Sequence, residues 1–88
     1  MNSMATAAPS TTPNPDAMKF TLDVTLPATF NVTTADAAVG NSFAEAVFAT
    51  GDVVAVFGVN DFVTVTRRQG ADWEPLVTAV QAAAEAHL

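Results

Sequence analysis

The 88 residues leave room for one domain, and half of them are hydrophobic, which is enough for a small core. Nine acidic residues against three basic ones give a formal net charge of −6, which excludes the basic surfaces that bind nucleic acids or anionic membranes. No apolar run reaches the ~20 residues that cross a bilayer. The absence of cysteine and of a secretory signal predicts a cytoplasmic protein.

The first part of the chain divides into a tail and two strands. Residues 1–12 are mostly Ala, Ser, Thr and Pro without periodicity, and we expect a flexible tail there. The folded domain is expected over residues 13–88. Over residues 18–26, five apolar residues alternate with four polar ones, which predicts a half-buried strand that ends before Pro27. Residues 30–33 predict a second, shorter strand.

The middle of the chain predicts a helix and a hairpin. The helix begins at Ser42, whose side chain can form a capping box with Glu45, and Gly51 suits the left-handed residue that follows a helix. Residues 53–59 are almost wholly apolar and predict a central strand. Residues 62–68 predict a strand that pairs with it in an antiparallel hairpin, through a tight turn.

The last element is an amphipathic helix. Asp72 is a suitable N-cap, and Pro75 is tolerated in the first helical turn. The residues predicted to be buried are Trp73, Leu76, Val77, Val80, Ala83, Ala84 and Leu88. The element order predicts an α+β fold of two layers, with two helices on one face of a four-stranded, mostly antiparallel sheet.

The residues offer no set of groups for catalysis or metal binding. The chain has no thiol, and its only imidazole is that of His87. We interpret His87 as a solvated residue at the end of the last helix. One histidine cannot build a metal centre or a nucleophile–base pair, so we expect no catalytic residues, no metal and no cofactor. Arg67 and Arg68 form the only basic cluster. Their charges either protect a sheet edge from aggregation or contact an acidic partner.

Four segments resemble a known family. Residues 13–20 read PNPDAMKF and resemble TPNPNALKF, which opens the N-terminal domain of Nfu/NifU-type iron–sulfur scaffold proteins. Further along, SFAEAVF is similar to the family's SPLAEALF, NDFVTVT to its NDFITVTK, and DWEPL to its DWEELKP. The resemblance runs from about residue 13 to the end of the chain. The chain departs from the family at Phe43, where the family has Pro, and at Arg67, where it has Lys.

The resemblance implies an α+β fold and a role near iron–sulfur cluster assembly or delivery. In two-domain members of the family, a CxxC pair in a separate C-terminal domain holds the cluster. This sequence contains no cysteine, so it resembles a stand-alone or excised N-terminal domain, and we do not expect it to carry a cluster alone.

The first functional hypothesis is a non-catalytic module that binds proteins of the iron–sulfur pathway. Helices on one face of the sheet would leave the other uncovered, and Val53, Ala55, Phe57 or their alternates must point there. Lys19, on the polar side of its strand, should be exposed. The candidate contact residues are Asn14, Lys19, Phe57, Asn60, Phe62 and Arg68.

Two alternatives stay open. The chain could be a small anionic-metabolite-binding protein or a minor enzyme that uses Asn14, Asp16, Lys19, Arg67 and Arg68. It could also associate with itself through the uncovered face or an edge strand, although we expect a monomer with at most weak dimerisation. For the proline-rich motif at residues 13–20, a turn and core role competes with a binding role.

Overall fold

The computed structural model describes residues 5–88 and shows a five-stranded sheet with two α-helices. The sheet order is β1-β2-β5-β4-β3, and every neighbouring pair is antiparallel. The elements are β1 (Ala7–Thr11), β2 (Ala17–Leu22), β3 (Phe30–Val32), a 3₁₀ turn (Asp36–Ala38), α1 (Ser42–Phe48), β4 (Val53–Val59), β5 (Phe62–Arg67) and α2 (Trp73–His87). The predicted α+β class is therefore confirmed, with one strand more than expected. Neither helix within residues 5–88 has the length and apolarity needed to span a membrane.

The additional strand, β1, lies where the sequence predicts a flexible tail, and that prediction is wrong for Ala7–Thr11. β1 pairs with β2 along its whole length, from Ala7 opposite Leu22 to Thr11 opposite Met18. Four of its five residues are exposed, so it carries no alternating apolar pattern that could reveal it. Residues 1–4 of the predicted tail lie outside the described residues.

The outer edge of β1 is interrupted at two backbone positions. Pro9 has no N–H to donate, which is tolerated in an edge strand. The carbonyl oxygen of Ala7 accepts a hydrogen bond from the Gln81 side chain of α2 at 3.1 Å. Both features hinder the pairing of a further strand.

β2 ends at Leu22, earlier than the alternation over residues 18–26 predicts. Its partner β5 begins at Phe62, opposite Thr21, so no further strand residues are available for pairing. Beyond that point, the backbone N–H groups of Leu22 and Leu26 donate to carbonyl oxygens of the β4–β5 turn, at 2.7 and 2.6 Å. Leu26 is nevertheless buried. The alternation thus predicts the side facing the core, and the partner strand determines where the ladder stops.

The predicted capping box on α1 is wrong by one residue. Asn41, not Ser42, is the N-cap, and its Oδ1 accepts a hydrogen bond from the Ala44 N–H at 3.1 Å. The Glu45 carboxylate reaches back to the N–H of Gly40, also at 3.1 Å. At α2, Asp72 occupies the predicted N-cap position, but its side chain makes no hydrogen bond to the first turn.

The core fills the space between one face of the sheet and the two helices. Its largest fully buried side chains are Phe20, Phe43, Val47, Val56, Val63, Val65, Leu76 and Val80. On α2, the predicted burial is confirmed for Leu76, Val80, Ala83 and Ala84. Trp73, Val77 and Leu88 are only partly buried and pack against the rim of the core.

Gly58 allows close packing between β4 and the ring of Phe30. A Cβ atom at Gly58 would lie 2.5 Å from Phe30 Cζ and 3.0 Å from Leu26 Cδ1. We expect Gly58→Ala to lower the free energy of unfolding by about 1–3 kcal/mol, measured by urea denaturation. Because the clash is with Phe30, the double variant Gly58→Ala/Phe30→Ala should lose less stability than the two single changes added together. Simple additivity would contradict this packing.

Candidate interaction surface

The face of the sheet opposite the helices is solvent-accessible. Along each strand its side chains alternate with core residues, and each is exposed or half-buried. We call this surface the open face. Its members on β2 to β5 are Ala17, Lys19, Thr21, Asn31, Ala55, Phe57, Val59, Phe62, Thr64 and Thr66.

The strand register arranges these side chains in rows. Lys19 on β2 lies opposite Thr64 on β5, and Thr64 lies opposite Phe57 on β4. In the next row, Phe62 lies opposite Val59. With strands spaced by about 4.8 Å, Lys19 and Phe57 are separated by about 10 Å across the small threonine of the middle strand. The open face therefore has an apolar side on β4 and a cationic side on β2.

Lys19 provides the positive charge of the open face. Its Nζ lies 4.5 Å from the centroid of the Phe62 ring, a cation–π distance. In the described part of the chain, the two arginines pair with Asp16 and Asp52, whereas Lys19 has no acidic partner. None of the open-face residues is acidic, although the chain as a whole carries a formal charge of −6.

β4 exposes two large apolar side chains, of which Phe57 belongs to the open face. Phe57 is 36% exposed and Val54 is 45% exposed, beside a register irregularity between Val53 and Ala55. The structure confirms that Ala55 and Phe57 lie on the open face, whereas Val53 is buried in the core. The sequence analysis does not name three further members of the open face, Thr21, Val59 and Thr64. Their alternation with buried residues is the signal that identifies them.

The proline-rich motif forms the turn between β1 and β2. The side-chain oxygen of Asn14 accepts a hydrogen bond from the N–H of Asp16 at 2.9 Å. The Thr12 hydroxyl donates to the carbonyl oxygens of Asn14 and Ala17, at 2.9 and 3.0 Å. Phe20 is fully buried. These contacts agree with a role of the motif in forming the turn and the core.

The same turn is held to the start of α2. The Trp73 indole N–H donates to the carbonyl oxygen of Pro15 at 3.0 Å. The Arg67 guanidinium lies 5.2 Å from the Trp73 ring, and its Nε is 3.1 Å from the Asp16 carboxylate. It also donates to the Ala71 carbonyl oxygen at 2.6 Å. Two motifs that are far apart in the sequence, PNPD and DW, therefore meet at one corner of the fold.

The structure brings together only some of the predicted contact residues. Lys19, Phe57 and Phe62 share the open face, whereas Asn14 lies in the β1–β2 turn. Asn60 lies in the β4–β5 turn with a positive φ of 53°, and Arg68 is paired with Asp52 at the opposite end of the hairpin.

Of the residues of the alternative anion site, Asn14, Asp16 and Arg67 meet at the β1–β2 turn, but the three cationic side chains do not converge. Arg67 and Arg68 are each neutralised by an aspartate, and Arg67 is also hydrogen-bonded to the backbone. Lys19 belongs to the open face, above Phe62. The three cationic side chains thus occupy different environments instead of surrounding one ligand.

The donor set does not fit an iron–sulfur cluster or a metal ion. The sequence has no thiolate, and His87 is in the last turn of α2. Among residues 5–88, no three His, Asp or Glu side chains are grouped as a metal would require. We therefore assign no metal chemistry to the residues of this chain.

The chain is similar to several solved structures. The crystal structure of protein SAV1430 from Staphylococcus aureus is 28% identical with a TM-score of 0.73, over 85% of this chain and 92% of that one. SeR13 from Staphylococcus epidermidis is 25% identical with a TM-score of 0.59, over 85% of this chain and 88% of that one. A NifU-like protein from Saccharomyces cerevisiae has the same fold, with 21% identity and a TM-score of 0.76 over 94% of this chain and 79% of that one.

A comparison with curated protein sequences finds no match. The family model described as "Scaffold protein Nfu/NifU N terminal" matches residues 8–88. This match begins within β1 and includes both helices, so it covers nearly all of the fold described above. The protein therefore belongs to the Nfu/NifU N-terminal scaffold family.

Proposed function

We propose that this domain is a non-catalytic accessory module that binds a protein of the iron–sulfur cluster pathway through its open face. Membership of the Nfu/NifU N-terminal family links the chain to iron–sulfur cluster biogenesis. With no cysteine in the chain, the thiolates that hold a cluster would have to come from the partner. The contribution of this domain would then be recognition.

The observation that supports this proposal most strongly is the composition of the open face. A solvated antiparallel sheet face usually carries polar side chains. Here Phe57 exposes apolar surface, and Lys19, which has no acidic partner among residues 5–88, lies close to the ring of Phe62. Aromatic and aliphatic groups beside a single charge are typical of a recognition surface. The anionic-metabolite alternative has less support, because both arginines are already paired with carboxylates.

Binding can be tested by NMR titration of the ¹⁵N-labelled protein. The probes are the CxxC cluster-binding domain of an Nfu-type protein, without and with its cluster, and an apo-ferredoxin as a representative acceptor. We expect at least one probe to bind with a Kd below about 1 mM and to shift the amide signals of Lys19, Phe57 and Thr64. Signals of the exposed face of α2 should stay unchanged.

A variant and a control make the test specific. Phe57→Ser should weaken binding at least about 10-fold, because it removes the most exposed aromatic side chain of the open face. The control is Val39→Ser, which removes another exposed apolar side chain, 75% accessible, from the loop before α1. Absence of binding to every probe, or equal effects of the two substitutions, would contradict the proposal.

A further inference from the structure

We infer that the open face binds an amphipathic helix of the partner, which places apolar side chains against Phe57 and a carboxylate beside Lys19. This inference rests on the proposed function and specifies the chemistry of the partner. It follows from the shape of the open face, from the position of its single charge and from the edge of the sheet.

The shape of the open face suits a helix. On the middle strand, β5, the small side chain of Thr64 lies between Phe57 and Lys19. Thr66, also small, lies between Ala55 and Ala17, and the larger Phe62 is at the start of β5, beside the β4–β5 turn. The flanking strands are about 10 Å apart, close to the diameter of an α-helix with its side chains. Along β4, Phe57 and Ala55 are separated by about 6.7 Å, and residues i and i+4 of a helix by about 6 Å. A helix along β5 can therefore place an i, i+4 apolar pair against β4.

The charge of the open face indicates which charge the partner helix carries. Lys19 has no acidic partner in the described part of the chain, and no open-face residue is acidic. Covering this ammonium group with an uncharged surface costs desolvation energy, and the cation–π contact with Phe62 offsets only part of it. A carboxylate on the flank of the helix that faces β2 removes this cost. Two copies of this chain pairing by their open faces would instead bring two like charges into one interface.

Pairing of a partner strand with the sheet edge is less favourable. Strand addition requires a row of free backbone groups on the edge strand. On β1, Pro9 has no N–H, and Gln81 occupies the carbonyl oxygen of Ala7. β3, at the other edge, is only three residues long. Binding of the partner on the open face is therefore better supported than pairing of a partner strand with β1 or β3.

The test uses peptides, so it does not depend on knowing the natural partner. Three peptides of about 18 residues share a Leu stripe at i, i+4 spacing and carry Glu, Gln or Lys on one flank. Binding to the full chain is measured by NMR titration at low ionic strength, where exposed charge pairs are least screened. We expect the Glu peptide to bind about three- to fivefold more tightly than the Gln peptide, with the Lys peptide weakest. The shifts should map to Lys19, Phe57 and Thr64.

Variants separate a local charge effect from the net charge of the domain. Lys19→Met should abolish the preference for the Glu peptide, and Lys19→Glu should reverse it in favour of the Lys peptide. Ala82→Glu changes the net charge by the same amount as Lys19→Met but lies on the exposed side of α2, and it should retain the wild-type order of affinities.

Each failure has a distinct meaning. Equal affinities for the three peptides, no peptide binding, or shifts outside the open face would overturn the inference. If a pathway protein binds the domain and Lys19→Glu leaves that binding unchanged, the inference fails while the proposed function stands. If Lys19→Glu reverses the preference among the peptides but no pathway protein binds the domain, the proposed function fails instead.

Discussion

Phe20→Ala is expected to lower the free energy of unfolding by about 3–5 kcal/mol, since Phe20 is fully buried in the core. The side chain lies on β2, opposite Pro9 on one neighbouring strand and Val63 on the other. Small domains have a total stability of about 5–15 kcal/mol, so this single cavity would remove a large part of it. Urea denaturation, with a thermal melt as a second measurement, provides the test.

The control is the same chemical change on the other face of the sheet. Phe57→Ala removes an equal number of atoms, but Phe57 is one-third exposed, so we expect a loss of only about 1 kcal/mol. The difference between the two variants reports which face is packed by the helices. Similar losses for both would show that this assignment of the two faces is wrong.

Trp73→Ala is expected to cost about 3 kcal/mol, near the lower limit for loss of a large aromatic side chain, because Trp73 is only partly buried. The substitution removes packing against the core, the hydrogen bond to Pro15 and the stacking of Arg67. It therefore releases the β1–β2 turn from α2. The unfolding free energy and the NMR signals of residues 12–17 should both change.

Trp73→Phe separates the contributions to this corner. It retains much of the ring packing and loses the indole N–H, so we expect a loss of about 1 kcal/mol. Its effect on the β1–β2 turn should be intermediate between those of the wild type and Trp73→Ala. An unchanged melting temperature for Trp73→Ala would refute the structural role that we assign to this residue.

Periodicity predicts most of this fold because most of its elements have one apolar side. The alternation on β2 and the helical spacing on α2 both place the correct residues in the core, including Phe20 and Leu76. Periodicity does not predict β1, because its exposed Ala, Pro, Ser and Thr residues are ordered by pairing with β2. A strand that depends on its neighbour for order leaves little local signal in the sequence.

The candidate site was predictable in part for the same reason. Alternation alone indicates that Lys19 is exposed, and the structure confirms it. Its alignment with Thr64 and Phe57 depends on the register of three strands, which the sequence does not specify. The contact between Asp16 and Arg67 joins residues 51 positions apart and likewise depends on register. The ion pair between Arg68 and Asp52 also depends on strand register.

The two interrupted positions on the outer edge of β1 have a consequence for the behaviour of the protein at high concentration. Fibrils grow when each arriving chain finds a continuous row of donors and acceptors on the previous one. The missing N–H of Pro9 and the occupied carbonyl of Ala7 interrupt this row at two positions. We therefore expect concentrated solutions of the native protein to resist fibril growth from this margin during prolonged storage.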